Sequence, residues 1–324
     1  MSNPKDLIHF SLISKKTYQL LKVMRVRVNG LTLNETKNQI VFDDFNYEQW
    51  CFNFFGLERK ATAHAVINGW KIKSYMTDTC LYTYTDQSLF EFLKFAVHYL
   101  SDIFKCHFDH LIFDIDFMKN LNQIFEYGVG TNVYHLRLQG DRPVDDEEML
   151  NVIERFTVKR ITLEINLSDT FHCDPELFKT DNLTLINNSS NWIKRETLLQ
   201  FQRLNTLIMY TPGKNSLTED DLVAFVSKWF HSDNRHFTLL RFPAKFRPRN
   251  HMFTRFNPRA YDPEGRGPVF RCQGNYYPYG IRCKTGIDIL REDGLLATVV
   301  QRSTVIYFLV WHERFPDVGG LKVY

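Results

Sequence analysis

Long apolar runs are missing from this 324-residue chain. Its densest apolar stretch, "VIYFLVW" at 305–311, has the length of a strand, far short of the roughly 18 residues a membrane helix needs. No charged segment followed by an apolar core opens the chain, so no secretory signal is expected. A dominant charge sign is also lacking. The chain holds 40 Lys and Arg against 37 Asp and Glu, a formal charge of +3, which selects neither nucleic acid nor an acidic partner. Cysteines are few. The six, at 51, 80, 106, 173, 272 and 283, are scattered, which predicts free thiols in a reducing compartment, cytoplasmic or nuclear, rather than a disulfide framework. No G-x-S-x-G, Walker or H-E-x-x-H pattern occurs, so neither enzymatic activity nor a cofactor is expected.

Aromatic residues are plentiful at 15%, including 28 Phe, and imply a packed interior rather than disorder. The opening "NPKDLIHFSLISKKTYQLLK" reads as two short helices. Asn3 is placed as an N-cap, Pro4 sits at the first helical position, and Ser14 is placed to cap the second helix. Leu7, Phe10, Ser11 and Ser14 fall on one predicted face, and Tyr18, Leu21 and Lys22 follow on the second helix. So short a piece cannot bury its own apolar side chains and needs the rest of the chain or a partner. Residues 24–75 then alternate in the manner of strands and predict an antiparallel meander. After it, Leu89, Phe92, Leu93, Ala96 and Leu100 form a helical stripe with Asp86 as its expected cap.

From about residue 104 to 242 short strands fit one template, an apolar residue, two spacers, Leu or Ile, one spacer and an apolar residue. Phe108/Leu111/Phe113, Val133/Leu136/Leu138 and Val158/Ile161/Leu163 fit it. So do Leu183/Leu185 (with Thr180 breaking the first position), Leu204/Leu207/Met209 and Phe237/Leu240/Phe242. The central positions are separated by 25, 25, 22, 24 and 33 residues, close to the period of leucine-rich repeats. Helical stripes fill the gaps, one starting at Pro143 and carrying Met149, Val152, Ile153 and Phe156. Another starts from a capping box expected at Ser216 and Glu219 and carries Leu222, Phe225, Val226 and Trp229. The predicted fold is α/β, a short irregular leucine-rich-repeat-like β/α solenoid with its sheet on one side and helices on the other. Residues 243–284, rich in Pro and Gly, read as loop. A hairpin about Asp293-Gly294, with "TVIYFLVW" behind it, closes the chain as an antiparallel β segment.

Few patterns invite chemistry. Asp114-Ile115-Asp116 sets two carboxylates on one side of a strand, a metal-binding spacing, but without any Gly-rich phosphate loop it is expected to hold no metal. Cys106, His107 and His110 lack a second ligand pair at zinc spacing. In His172-Cys173-Asp174 adjacent residues seldom face each other as nucleophile and base. The run Arg241–Tyr261 carries Arg241, Lys245, Arg247, Arg249, Arg255, Arg259 and His251 with no acid, interleaved with Phe242, Phe246, Phe253 and Phe256. That mixture suits RNA or a phosphorylated peptide; the plainer expectation is a solvated loop that tucks its rings under the sheet, so a nucleic-acid partner is not expected.

Two segments carry a family resemblance. Pro4, Leu7, Ser11, Ser14 and Lys15 resemble the second half of the F-box of nematode F-box proteins, although the helix that precedes this pattern in the family has only Met1 to Asn3 in its place. "GIDILREDGLLATV", with Gly286, Asp288, Ile289, Arg291, Asp293, Gly294, Ala297 and Thr298, followed by Val310-Trp311, resembles the end of the F-box-associated type 2 region. "TLEINL", "LTLINNSSNW" and "LTEDDLVAFVSKW" resemble its middle. The resemblance implies a partial F-box over 1–22, a β meander linking segment over 23–80, a β/α repeat region over 81–242 and a loop and β segment over 243–324, with 80–324 as the associated domain. It implies a non-catalytic substrate-recognition subunit of a Skp–cullin–F-box ubiquitin ligase, binding a Skp-type adaptor and an unknown protein target. With half the F-box absent, adaptor binding is expected to be weak. Pro4, Leu7, Phe10, Leu12 and Ile13 are the expected adaptor contacts. The target is expected on the open face of the repeat strands, through Asp114, Asp116, His135, Arg137, Arg160, Glu164, Thr184, Ile208 and Tyr210. An interaction module uncoupled from the ligase, or RNA or phosphopeptide binding by 241–261, is the alternative.

Overall fold

In the computed structural model, residues 3–43, 48–52, 63–67, 70–210, 217–244, 246–271, 279–319 and 322–323 are described. The chain divides into two units, Met1–Lys159 and Arg160–Tyr324.

The first unit begins as its caps dictate. Asn3 Oδ1 accepts the Lys5 N–H at 3.0 Å and starts α1 (Pro4–Ile13), and Ser14 Oγ accepts the Thr17 N–H at 3.2 Å and starts α2 (Lys15–Met24). The buried face of α1 is Pro4, Lys5, Ile8, Ser11 and Leu12, one position round from the expected Leu7–Phe10 stripe. Tertiary contacts decide between these overlapping faces. Tyr99 donates its hydroxyl to Ser11 Oγ at 2.8 Å, and that contact turns Ile8 and Leu12 inward.

Strands β1 (Val26–Asn34), β2 (Gln39–Phe42), β3 (Glu48–Phe52), β4 (Ala63–Ile67), β5 (Trp70–Met76) and β6 (Cys80–Tyr84) follow. Then come α3 (Leu89–Ile103), β7 (Phe104–Asp114), β8 (Asn132–Pro143) and α4 (Asp146–Arg155). The sheet order is β8-β7-β1-β2-β3-β6-β5-β4. The expected plain meander is only partly present, because β3 pairs with β6 in parallel while β4 and β5 lie beyond β6. Nor is it a separate linker. β1 runs parallel to β7 from Val26↔Phe104 to Asn34↔Ile112, which places residues on both sides of position 80 in one sheet. Ser88, not Asp86, caps α3 by accepting the Glu91 N–H at 3.3 Å. Asp145 caps α4, while Pro143 ends β8. Trp50, Phe52, Phe92, Phe104 and Phe113 fill the core.

The second unit begins within β9 (Thr157–Asn166) and goes on through β10 (Asn182–Leu185), α5 (Arg195–Gln200), β11 (Thr206–Met209), α6 (Glu219–Phe230) and β12 (Leu239–Pro243). It continues with β13 (Val269–Arg271), β14 (Tyr279–Arg282), β15 (Ile287–Leu290), β16 (Leu296–Arg302), β17 (Val305–Trp311) and β18 (Lys322–Val323). Its main sheet runs β15-β16-β17-β12-β11-β10-β9. β9 to β12 are parallel, and the template positions form one row across them, Ile161↔Leu183↔Leu207↔Leu240. β12, β17, β16 and β15 pair antiparallel, with the hairpin turning at Asp293-Gly294 as read from the sequence.

α6 carries a capping arrangement two residues beyond the expected one. Asp221 accepts the Thr218 N–H at 2.6 Å and its hydroxyl at 2.9 Å. Ser216 lies outside the described residues. The region expected to be loop contains β13 and β14, which join β18 in a second, three-stranded sheet. Trp229 and Phe225 of α6 pack on Phe308 at ring distances of 5.1 and 5.9 Å. Phe270, Ile281 and Cys283 of the small sheet and its exit pack with Ile208, Leu239, Leu309 and Trp311, so this part of the main sheet is covered on both faces. The described residues form a mixed α/β structure without a closed barrel, and no helix among them is long and apolar enough to cross a membrane.

Candidate interaction surfaces

Among the expected adaptor contacts, Pro4 and Leu12 are buried inside the first unit and Leu7 is half-buried; neither Pro4 nor Leu12 is open to a partner. Phe10 (51% exposed) and Ile13 remain in solvent, one helical turn apart. Sequence reading missed the companion stripe on α2, where Leu20, Val23 (82% exposed) and Met24 stand at i, i+3, i+4 spacing. The available signal was the apolar spacing itself. The opposite side of α2 docks on α3: Tyr18 stacks on Tyr99 at 5.3 Å and donates to Asp102 Oδ2 at 2.8 Å, and Lys22 reaches the same oxygen at 3.2 Å. The Tyr18 hydrogen bond, followed by Lys22, holds the Asp102 carboxyl below its ordinary range. Burial, reinforced by Asp102, pushes the Tyr18 phenol up to about 12.

The expected target residues fall in both units. In the first, Ile112↔Arg137 and Asp114↔Gln139 are register partners, and His135, expected on the open face, is buried, with His110 edge to face on it at 5.8 Å. The two aspartates of the D-x-D have structural partners. Asp114 accepts the Asp116 N–H at 3.1 Å and gives its own N–H to Glu35 at 3.0 Å. Asp116 takes the Asp141 N–H on both oxygens, at 2.9 and 3.0 Å, and the Arg142 N–H at 2.7 Å. Gly140, at φ +141°, makes room for this, since a Cβ there would lie 2.8 Å from Asp116 Oδ1. Burial pushes the Asp114 carboxyl above its ordinary range.

In the second unit Arg160 faces Asn182, and Thr184 lies between Thr162 and Ile208 in register; Glu164 is half-buried further along β9. Ile208, expected on an open face, is 2% exposed, because the small sheet packs over it. It is corrected from surface to core. Tyr210 stays exposed, with the Arg241 guanidinium 4.0 Å above its ring and Arg241 Nη1 donating to the Met209 carbonyl at 2.5 Å. Phe242, Phe253 and Phe256 of the basic run are buried, so those rings face the core rather than a ligand, while Lys245 lies outside the described residues. His172 is exposed and Cys173 buried, with Cys173 Sγ against the Asp174 carbonyl at 3.4 Å.

The C-terminal signature resolves into a buried polar network. Arg266, 0% exposed, donates Nε to both Asp288 oxygens at 3.0 and 2.9 Å and Nη2 to the Cys283 carbonyl at 2.9 Å. Thr298 donates to Asp288 Oδ1 at 2.6 Å and accepts from Trp311 Nε1 at 2.8 Å. Gly286 abuts the same threonine, and a Cβ there would stand 2.3 Å from Thr298 Cγ2. Arg291 grips Asp293 with two bonds of 2.9 and 2.8 Å and caps the end of α6 through the Trp229 and Asn234 carbonyls. The polar side chains of Arg266, Asp288, Arg291 and Thr298 are all satisfied within the fold, so the signature holds the sheet together rather than presenting reactive groups. Arg266 is the member that sequence reading missed, since a lone Arg in a Pro/Gly-rich stretch gives no signal.

The chain is similar to two Caenorhabditis elegans proteins. It is 24% identical to the uncharacterized protein F59B2.8 over 98% of this chain and 75% of that protein. It is 27% identical to the uncharacterized protein F59B2.9 over 54% of this chain and 40% of that protein. No protein-family profile and no solved structure matches it.

Proposed function

We propose that this chain is a non-catalytic protein-binding subunit of a Skp–cullin–F-box ubiquitin ligase, working in the cytoplasm or nucleus. In this reading the N-terminal helical pair docks a Skp-type adaptor, and the leucine-rich-repeat-like strands that follow carry a protein target. The observation behind it is the exposed apolar surface of α1 and α2: Phe10, Ile13, Leu20, Val23 and Met24 on two helices joined by a single residue, Ser14. Scattered apolar side chains on a surface need no explanation; five on one short helical pair suggest a covering partner. The likeness of Pro4, Leu7, Ser11, Ser14 and Lys15 to the F-box names the partner class, and the nematode relatives agree with the origin that this likeness implies.

Calorimetric titration of the purified chain with a Skp-type adaptor tests the reading. Weak saturable association is expected. Phe10→Asp with Val23→Asp is expected to weaken it at least about tenfold while leaving the thermal midpoint in place, because both side chains lie in solvent. Absence of association, or association indifferent to both changes, rejects the assignment.

A further inference from the structure

Two adjoining clefts open beside the end of the small sheet, within the second unit. One, of about 330 Å³, is lined by Pro268, Val269, Arg282, Lys284, Thr285 and Arg302. The other, of about 480 Å³, is lined by Arg247, Asn250, Thr285, Gln301 and Ser303 among others. Thr285 is common to both, so the two share a wall. Four cations border this space and no carboxylate does.

Their placement follows from the fold. Arg282 ends β14, where its backbone pairs with Val269. Lys284 and Thr285 form the turn into β15, and Arg302 ends β16 opposite Val305. Arg247 comes from the segment after β12, and brings to the cleft a basic residue far away in sequence. Among the described residues none of the four forms an ion pair, in contrast to Arg266 and Arg291 of the same unit. Every Asp and Glu of residues 160–324 is among the described residues, and none of these side chains lies within ion-pair distance of the four. Arg247, Arg282 and Lys284 are exposed and Arg302 half-buried, so the clefts present a local positive potential that attracts an anion from solvent.

We infer that these clefts bind a phosphate monoester, with Arg282, Lys284, Arg302 and Arg247 holding the dianion and Thr285 donating from the shared wall. Guanidinium forks suit a tetrahedral oxyanion that presents several acceptors at once. Nucleic acid suits the site less well. Neither cleft is lined by an aromatic ring on which a base would stack, and three of the four phenylalanines of the basic run, Phe242, Phe253 and Phe256, are buried in the core, with Phe246 half-buried. The inference stands apart from adaptor docking, which concerns the other unit.

The test uses the full chain and three probes: inorganic phosphate, a phosphoserine peptide and glucose 6-phosphate, each followed by calorimetry at low salt. Saturable binding is expected, at least about tenfold weaker in Arg282→Gln with Arg302→Gln and unchanged in Lys194→Gln, which removes one charge at an exposed site on another segment. Tighter binding of the peptide than of the sugar ester identifies a macromolecular source, and the reverse a small metabolite; either supports the site. Thermal midpoints of the variants separate loss of binding from loss of fold. Absence of binding by all three probes, or binding indifferent to the double change in a folded variant, overturns the inference. So does a single-stranded oligonucleotide that binds more tightly than any monoester.

Discussion

Each unit buries a carboxylate, and the two do so by different chemistry. Asp288 in the second unit lies against the Arg266 guanidinium, so charge is buried with its counter-charge and each side chain is further hydrogen-bonded. Glu35 in the first unit is 1% exposed, and its donors among the described residues are both neutral: the Tyr127 hydroxyl at 2.6 Å and the Asp114 N–H at 3.0 Å. Burial therefore pushes the Glu35 carboxyl above its ordinary range, against the opposing pull of those two bonds. A paired buried charge is fragile to loss of its partner. A buried acid held by neutral donors is instead sensitive to pH.

The largest effect should come from breaking the pair. Arg266→Ala leaves Asp288 buried without a counter-charge and is expected to lower stability by about 3–5 kcal/mol in urea unfolding. Asp288→Asn in the same background should recover part of that loss, by removing the orphaned charge. A loss under about 1 kcal/mol in the single variant would mean that the pair is no more than a surface contact.

Next comes the threonine that links the pair to the indole. Thr298→Val keeps the shape but removes a donor to Asp288 and the acceptor of Trp311 Nε1, and should cost about 1–3 kcal/mol. Trp311 fluorescence should change with it, since the indole loses its hydrogen bond; an unchanged spectrum would argue against the linkage.

The smallest effect sharpens the contrast from the other side. The folded-state pKa of Glu35 is raised, so the folded protein holds this proton more tightly than the unfolded chain. Its contribution to stability is present below the unfolded value of about 4.3 and is lost as pH rises through the folded value. Glu35→Gln keeps an oxygen for the Asp114 N–H, and its amide can donate to the Tyr127 oxygen. It is expected to match the parent below about pH 4 and to be the more stable of the two at neutral pH, where the parent's buried carboxyl loses its proton. A variant less stable than the parent at pH 7 would show that the ionised carboxylate is itself favoured there.

The same contrast bears on what could be read in advance. Local rules were legible at some of the places where a residue acts on its own backbone, and two residues off at the starts of α3, α4 and α6. The Asn3 and Ser14 caps and the Asp293-Gly294 hairpin follow from side chains that reach two or three residues along the chain. The strand template extended this to register, since an apolar position must repeat on the covered side of each neighbouring strand, and Ile161, Leu183, Leu207 and Leu240 do align. The site was less legible. Tyr210 and Ile208 alternate with the template residues alike, yet one is exposed and the other covered, because strands from residues 269–323 pack over only part of the sheet. Arg282, Arg302 and Arg247 gave no joint signal, being separated in sequence and united only by where β14, β16 and the segment after β12 end.

What the sequence determined by itself is therefore the short-range and periodic part: the starts of α1 and α2, the strands of the repeat template and their covered row, and a balanced charge that favours no partner class. Tertiary structure alone decided the side of α1 that turns inward, the parallel pairing of β3 with β6, the covering of Ile208, and the burial of Arg266 against Asp288. The physical reason is range. Caps and periodicities are set within a turn or a pleat of the residue concerned, whereas burial and charge compensation depend on partners tens of residues away, whose arrival no local pattern records.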